Sequence, residues 1–240
     1  LRVSRLGWGM WRFQGDDLGH ARALVDAALE AGINLFDTAD IYGFNGRDGF
    51  GDAEILLGRL FGTDPGLRRQ MVLASKGGVV PGVPYDSSAD YLVAACEASL
   101  RRLGTDRLDL FQVHRPDALT HPAEVARALE ALVTSGKVRA VGVSNYSPAQ
   151  LAALVAHLHI PLASIQPEFS PLMLEPLTDG TLDLAMQHRI SVLAWSPMAG
   201  GRLGDPGDDE RAQRVCAELD GQAQRCGVSR AVATYAWIMA

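Results

Sequence analysis

Apolar positions along this chain alternate between two rhythms. Short apolar runs occur at 33–36, 71–75, 108–113, 138–143, 163–165 and 191–194. Between them, apolar residues recur at helical spacing, as at Ala21, Leu24, Val25, Ala28 and Leu29. The pattern predicts a first strand around Arg5–Met10, then a helix from about Asp17 that Gly32 ends as a C-terminal cap. A strand closing at Asp37 follows, then a glycine-rich loop over 38–50 and a helix near 52–62. The third strand covers 71–75, and Pro81, Gly82 and Pro84 mark a loop. Ser87 and Ser88 open a helix that runs to about Leu103. The fourth strand ends at Val113, and a helix at 122–135 starts with Pro122 and stops at Gly136. The fifth strand spans 138–143, and Pro148 opens the next helix. A short sixth strand reaches Gln166, a helix lies near 178–189, and the seventh strand spans 191–195. A polar stretch at 202–209 leads to helices near 209–226 and 229–239.

Seven apolar strands alternating with about eight helices predict a parallel sheet covered on both faces. We expect a (β/α)8 barrel forming one domain over residues 1–240. An open doubly wound sheet that binds a dinucleotide would need a Gly-x-Gly-x-x-Gly turn after its first strand, and Gly7-Trp8-Gly9 does not supply one. The chain begins at Leu1 and stops at Ala240 inside an apolar helical pattern, so both ends look cut. The eighth strand and terminal helix are expected just past Ala240.

Polar residues sit repeatedly where these strands end. Asp37, Lys76, His114, Ser144, Asn145, Gln166 and Trp195-Ser196 each close or follow a strand. In parallel α/β folds ligands bind at the carboxyl ends of strands. An acid, a lysine and a histidine on one rim therefore read as a candidate active site.

Bulk properties narrow the classes. The 240 residues are 48% hydrophobic and 21% charged, ordinary values for a globular chain. A net charge of −6 argues against a nucleic-acid partner. No stretch approaches the roughly 18 apolar residues of a membrane helix, and no signal peptide is visible. Cys96, Cys216 and Cys226 lack metal-ligand or paired spacing. They read as small apolar fillers on helices in a cytoplasmic protein without a structural metal.

The segment Asp37-Thr38-Ala39-Asp40-Ile41-Tyr42-Gly43, with Lys76 closing the next strand and His114 the one after, resembles the Asp, Tyr, Lys and His tetrad of the aldo-keto reductases. The runs 136–145 and 193–201, together with Gln166, look like the same family, and the resemblance spans almost the whole chain. His114-Arg115-Pro116-Asp117 is similar to a bacterial branch of predicted oxidoreductases. The resemblance implies NADPH-dependent reduction of aldehydes or ketones, with NADH not excluded, and a small-molecule carbonyl substrate. It assigns Tyr42 as the acid. A free phenol, with a pKa of about 10, is a weak acid near neutrality, and an adjacent ammonium favours its anion. Asp37 would hold Lys76 charged and in place and would also face the cofactor. His114 would donate a hydrogen bond to the substrate oxygen or help relay the proton.

By the same resemblance Ser144, Asn145 and Gln166 hold the nicotinamide carboxamide. Trp195 stacks on the nicotinamide, where the family often has tyrosine. Ser196, Pro197, Met198, Gly200, Gly201 and Arg202 lie in a loop around the pyrophosphate. Met10 touches the cofactor ribose, and Trp11 the substrate alongside Tyr42 and His114. Residues that read the adenosine 2′-phosphate are expected beyond Ala240.

Each residue also has an ordinary structural reading. Asp37 could cap a loop, Lys76 could snorkel to solvent, His114 could be a bonded structural histidine, and Trp195 could be core. Ser144 or Ser147 could cap the following helix. Trp8 is expected to be structural, while Phe44 and Arg115 lie on rim loops. Two other functions fit the same pattern: a barrel enzyme with Lys76 as Schiff-base nucleophile, and a cofactor-binding regulatory protein similar to potassium-channel β-subunits. A lysine kept charged by Asp37 counts against the first, and the second needs a partner surface that the sequence does not mark.

Overall fold

Every parallel strand of residues 1–163 is followed by a helix. The computed structural model describes residues 1–240, the side chain of Pro84 excepted. It divides into two units, Leu1–Ala163 and Ser164–Ala240. The strands of the first are β1 (Gly7–Gly9), β2 (Leu35–Asp37), β3 (Val72–Gly77), β6 (Leu108–Val113) and β7 (Val138–Ser144). They pair parallel in that order, with Gly9 opposite Asp37, Asp37 opposite Ala74, and Lys76 opposite Gln112. Nearly every residue of β2, β3 and β6 is buried, as expected of strands covered on both faces. The covering helices are α1 (Leu18–Glu30), α2 (Asp52–Thr63), α3 (Ala89–Leu103), α4 (Pro122–Thr134) and α5 (Pro148–Val155). Their starts follow from local chemistry. Asp17 and Ser88 cap α1 and α3 through the third residue's N–H, and Ser147 with Gln150 forms a reciprocal capping box on α5.

In the second unit, β8 (Leu162–Gln166, which begins at the unit boundary) pairs parallel with β9 (Ser191–Val192). Helices α6 (Glu175–Thr178), α7 (Thr181–His188), α8 (Glu210–Cys226) and α9 (Arg230–Ile238) complete it. Leu172, Ala199, Leu203, Ala212, Cys216 and Leu219 form its buried cluster. Arg230 ties α9 to α8 through a bidentate pair with Asp220, and it donates to the carbonyls of Leu203 and Gly204.

The structure departs from the sequence reading in five places. The loop read at 81–84 is the turn of an antiparallel hairpin, β4 (Val79–Val80) with β5 (Val83–Tyr85). Pro81 followed by Gly82 at φ +83 suits a tight turn, and these strands are too short for an alternating pattern to show. The third strand, read over 71–75, runs to Gly77, so Lys76 is its penultimate residue. The helix read near 178–189 starts later, at Thr181, and a separate turn, α6, precedes it, because Gly180 at φ +95 parts the two and the Asp179 carboxylate accepts from the Thr181 N–H. The strand read at 191–195 stops at Val192. Leu193 and Trp195 still donate to the carbonyls of Ile165 and Pro167, but Pro167 has no N–H with which to continue the ladder. Finally, Cys96 and Cys216 are buried fillers, whereas Cys226 is exposed at the end of α8.

Asp109 fixes the amino ends of the central strands. Buried on β6, it accepts from the Leu73 N–H at 3.0 Å and pairs with Arg68 and Arg139, each at 2.9 Å. Burial works to raise its pKa, but the Leu73 amide and the two guanidinium groups outweigh it and hold the carboxyl below its ordinary value. A depressed carboxylate contributes stability above its unfolded pKa and loses it as pH falls through the folded one. We expect Asp109→Asn to cost roughly 2 kcal/mol at neutral pH, discounted for the half-exposed Arg139. The loss should shrink toward pH 3. Urea denaturation of both proteins across that range checks this, and parallel stability curves would refute it.

Candidate active site

Strand register converges the tetrad. Side chains alternate across a strand, so Ala74 and Lys76 share one face of β3. Asp37 is in register with Ala74 and Gln112 with Lys76. The ammonium of Lys76 therefore reaches back to the end of β2. It is fully buried and donates three hydrogen bonds: to Asp37 Oδ2 at 2.7 Å, to the Thr38 carbonyl at 3.0 Å and to the Tyr42 phenol oxygen at 3.2 Å. An ammonium has three donors, so all are used. Gln112 Nε2 donates to the other Asp37 oxygen at 3.3 Å. Burial alone would push the Lys76 pKa down, yet the Asp37 carboxylate and the Tyr42 oxygen reverse this and hold it above its ordinary value. The lysine is charged throughout the neutral range.

Because the Tyr42 oxygen accepts from Lys76, its own proton is left for another acceptor. Tyr42 is only 9% exposed and is enclosed by aromatic edges. Trp11 meets it edge-to-face at 5.2 Å and His114 at 5.8 Å. Trp11 itself is 62% exposed in the short 3-10 turn Met10–Arg12, whereas Met10 is fully buried. Trp8 packs against Phe13 and Phe36, away from this cluster.

His114 is held in its uncharged form. Burial, then the positive charges of Lys76 and Arg115, lower its pKa to about 3. Its Nδ1 is buried without a hydrogen-bond partner. Orphaned buried N–H groups are rarer than orphaned acceptors, so we assign the ring proton to Nε2. Neutral His114 is then a hydrogen-bond donor and not a cationic acid.

Other sequence-singled residues fall into two sets. At the end of β7, Asn145 adopts a left-handed backbone at φ +61, and its amide donates to Ser144 Oγ at 2.9 Å and to the His114 carbonyl at 3.0 Å. The helix cap read for Ser144 or Ser147 is made by Ser147. In the second unit Gln166 ends β8, and Trp195 bridges Glu168. Ser196, Ala199, Gly200 and Gly201 all have positive φ, so the segment 196–202 coils tightly, with Ser196 Oγ accepting from the Gly200 N–H. A Cβ at Gly200 or Gly201 would meet nothing within 4 Å. Arg202 pairs with Asp209. Open backbone on a glycine turn suits the close approach of phosphates. The tetrad offers a phenol proton, an ammonium and a neutral imidazole but no hydride, a set that suits carbonyl reduction by a hydride-carrying cofactor. Sequence reading missed Gln112, Glu54 and Asp40. A buried polar residue in an apolar strand was the signal for Gln112, and an acid in a helix's first turn concealed Glu54.

A family model described as the aldo/keto reductase family matches residues 5–240. The chain belongs to the aldo/keto reductase family. It is 53% identical over its whole length to the 6-dehydroglucose reductase of Novosphingobium aromaticivorans, of which it spans 79%. Among solved structures, the glycerol dehydrogenase AKR11B4 from Gluconobacter oxydans matches with a TM-score of 0.84 at 31% identity, over 98% of this chain and 79% of that one. The holo form of the aldo-keto reductase AKR11C1 from Bacillus halodurans matches with a TM-score of 0.73 at 33% identity, over 85% of this chain and 65% of that one. The (β/α)8 barrel class read from the sequence is thus its fold class, and its reaction class is NAD(P)H-dependent reduction of a carbonyl compound. Among the described residues no helix is long and apolar enough to cross a membrane, and no group of three or more His, Cys, Asp or Glu is placed to hold a metal.

The uncharged His114 has a measurable consequence. Its folded pKa lies below the unfolded value of 6.5. The unfolded chain therefore takes up the proton first, and stability is lost as pH falls from 6.5 toward about 3. The slope from this group is at most about 1.4 kcal/mol per pH unit. We expect His114→Gln to flatten the acid limb of the stability curve. Thermal melts from pH 7 to 4 check it, and unchanged steepness would count against a neutral buried histidine.

Proposed function

We propose that this protein reduces the aldehyde group of a polyhydroxylated substrate of the 6-dehydroglucose type, with NADPH as reductant and Tyr42 as the proton donor. The observation that carries the proposal is the Tyr42 phenol oxygen, which accepts from the Lys76 ammonium at 3.2 Å and so turns its own proton outward. The substrate class rests on the 53% identity to a 6-dehydroglucose reductase, and the likeness to a glycerol dehydrogenase agrees with a polyol framework. A cytosolic setting fits the three free cysteines.

When bound, the nicotinamide supplies the hydride. The chain's residues handle the charge that follows. As hydride reaches the carbonyl carbon, the oxygen becomes an alkoxide and takes the Tyr42 proton. Negative charge then lies on the Tyr42 oxygen, beside an ammonium already in place, which stabilises it without reorganisation. Asp37 and the Thr38 carbonyl keep that ammonium aimed. His114 Nε2–H donates to the carbonyl oxygen and orients it. In alcohol oxidation the same groups act in reverse, with the Tyr42 phenolate as base. The exposed Trp11 offers a flat face to the substrate. In the first unit Met10, Asp37, Ser144 and Asn145 are the proposed cofactor contacts. In the second they are Gln166, Trp195 and the segment 196–202, with Ser196, Pro197, Met198, Gly200, Gly201 and Arg202. Lys76 is a poor Schiff-base nucleophile, because all three of its N–H bonds are engaged and it is held charged.

Tyr42→Phe keeps the ring and removes the proton. We expect reduction of 6-dehydroglucose with NADPH to fall at least ~10²-fold, while the Kd for NADPH, read by fluorescence, stays within about twofold of the parent. Parent-level turnover in Tyr42→Phe would reject the acid assignment. Tighter binding of NADH than NADPH in the same titration would reject the cofactor preference. Lys76→Met should lower the rate and also move the pH dependence of what remains, and an unmoved pH profile would argue against electrostatic assistance by Lys76.

A further inference from the structure

Asp40 is a buried acid that the tetrad does not use. It is 1% exposed, and beyond the adjacent Ile41 amide, too poorly aligned for a full hydrogen bond, neither carboxylate oxygen has a partner. Its backbone N–H donates to the Lys76 carbonyl at 3.0 Å. Its carboxyl lies on the helix-facing side of β3: a Cβ on Gly77 would come 3.4 Å from Asp40 Oδ2, among Phe111 and Ala95. The Lys76 side chain leaves the opposite side of the same strand end.

The charges around it can be counted. Lys76 is paired with Asp37. Glu54 of α2, fully buried, accepts from Ser75 Oγ and pairs with Arg102 Nε of α3 at 2.7 Å. Arg102 Nη2 is committed to Ser99. The other titratable groups facing this region from α3 are Tyr91 and Cys96, both held neutral, with pKa values pushed up to about 12 by burial first and by nearby carboxylates second. Every cation is thus matched to another acid, and an ionised Asp40 would be a buried charge without an ion-pair partner of its own. In keeping with this, burial and then the negative charge of Glu54 lift the Asp40 pKa well above the ordinary carboxylate range.

We propose that Asp40 carries a proton in the working enzyme, which keeps a second buried negative charge away from the strand end that holds Lys76 and Tyr42. An ionised Asp40 behind the strand opposes the negative charge that develops on the Tyr42 oxygen as the phenol proton leaves. Protonated, it does not. The inference rests on the assignment of Tyr42 as the acid, and its test has one readout independent of that assignment.

The first readout is infrared difference spectroscopy of the full chain at pH 7, parent against Asp40→Asn. We expect loss of a protonated carboxylic C=O band in the variant. Loss of carboxylate absorption instead would overturn the proposal. The second is kcat/KM for aldehyde reduction with NADPH. Asn is the neutral isostere of a protonated Asp, so we expect Asp40→Asn to keep the parent kcat/KM at pH 7 within about twofold. A tenfold or greater change in kcat/KM at pH 7 would overturn the proposal. If neither protein reduces aldehydes, the functional assignment fails, while the infrared band still decides whether Asp40 is protonated. If Asp40→Asn does not fold, the parent's protonated band is followed from pH 6 upward. Its persistence through neutrality supports the proposal, and its absence at pH 7 refutes it.

Discussion

An ammonium sealed from solvent is tolerable only if its charge is matched and its donors are filled, and Lys76 meets both conditions. Asp37 supplies the charge, and the Thr38 carbonyl and Tyr42 oxygen take the remaining donors. Much of the surrounding architecture serves this arrangement. The β2–β3 register places Asp37 beside Ala74, one pleat back from Lys76. Gln112, in register with Lys76 on β6, holds the second Asp37 oxygen. A one-residue slip of β3 would turn Lys76 toward the helices and Ser75 inward. The ion pair therefore requires the register, and the apolar faces of the strands enforce it.

Tyr42 comes from a loop, and a loop must be braced if its phenol is to stay on an ammonium. The bracing is local. The Tyr42 carbonyl accepts from the Ala53 N–H at the start of α2, and Ala39, Tyr42 and Ala53 pack together. Gly43, at φ +100, lets the chain pass the Asp52 side chain and the Gly49 carbonyl, where a Cβ would stand 2.6 and 2.8 Å from them. In the same first turn, Glu54 fastens α2 to β3 through Ser75 and to α3 through Arg102. The loop carrying the proposed acid is thereby tied to the strand carrying the lysine on both sides of that strand.

Legibility in the sequence tracked how local the controlling physics is. The βα rhythm, the caps at Asp17, Ser88 and Ser147, and the barrel class are written in spacings of a few residues. Asp37, Lys76 and His114 were marked because each closes or follows an apolar run, whereas Tyr42, in a loop, was marked by the family resemblance. What escaped was set by pairing across the fold. The last strand is cut short by Pro167 on its neighbour. The hairpin at 79–85 has too few residues to show a period. The network of Glu54, Ser75 and Arg102 joins positions 21 and 48 residues apart, and nothing local marks them as partners. Asp40 was hidden for the opposite reason. It sits inside the most informative motif of the chain, beside Asp37 and Tyr42, and its lack of partners is visible only in three dimensions.

The uncharged state of His114 follows from the same economy of charge. Lys76 already places one positive charge behind the phenol. A second cation 5.8 Å from the Tyr42 ring, between centroids, would have to be buried beside the first and beside Arg115, and no acid is provided for it. The fold resolves the conflict by keeping the imidazole neutral. This divides the labour at a carbonyl. A neutral N–H can orient an oxygen without competing to protonate it, so the only mobile proton next to the substrate is the phenol's. In the proposed reaction, charge stabilisation would belong to Lys76, proton delivery to Tyr42 and orientation to His114. The division rests on burial and neighbouring charges that hold Lys76 charged and His114 neutral.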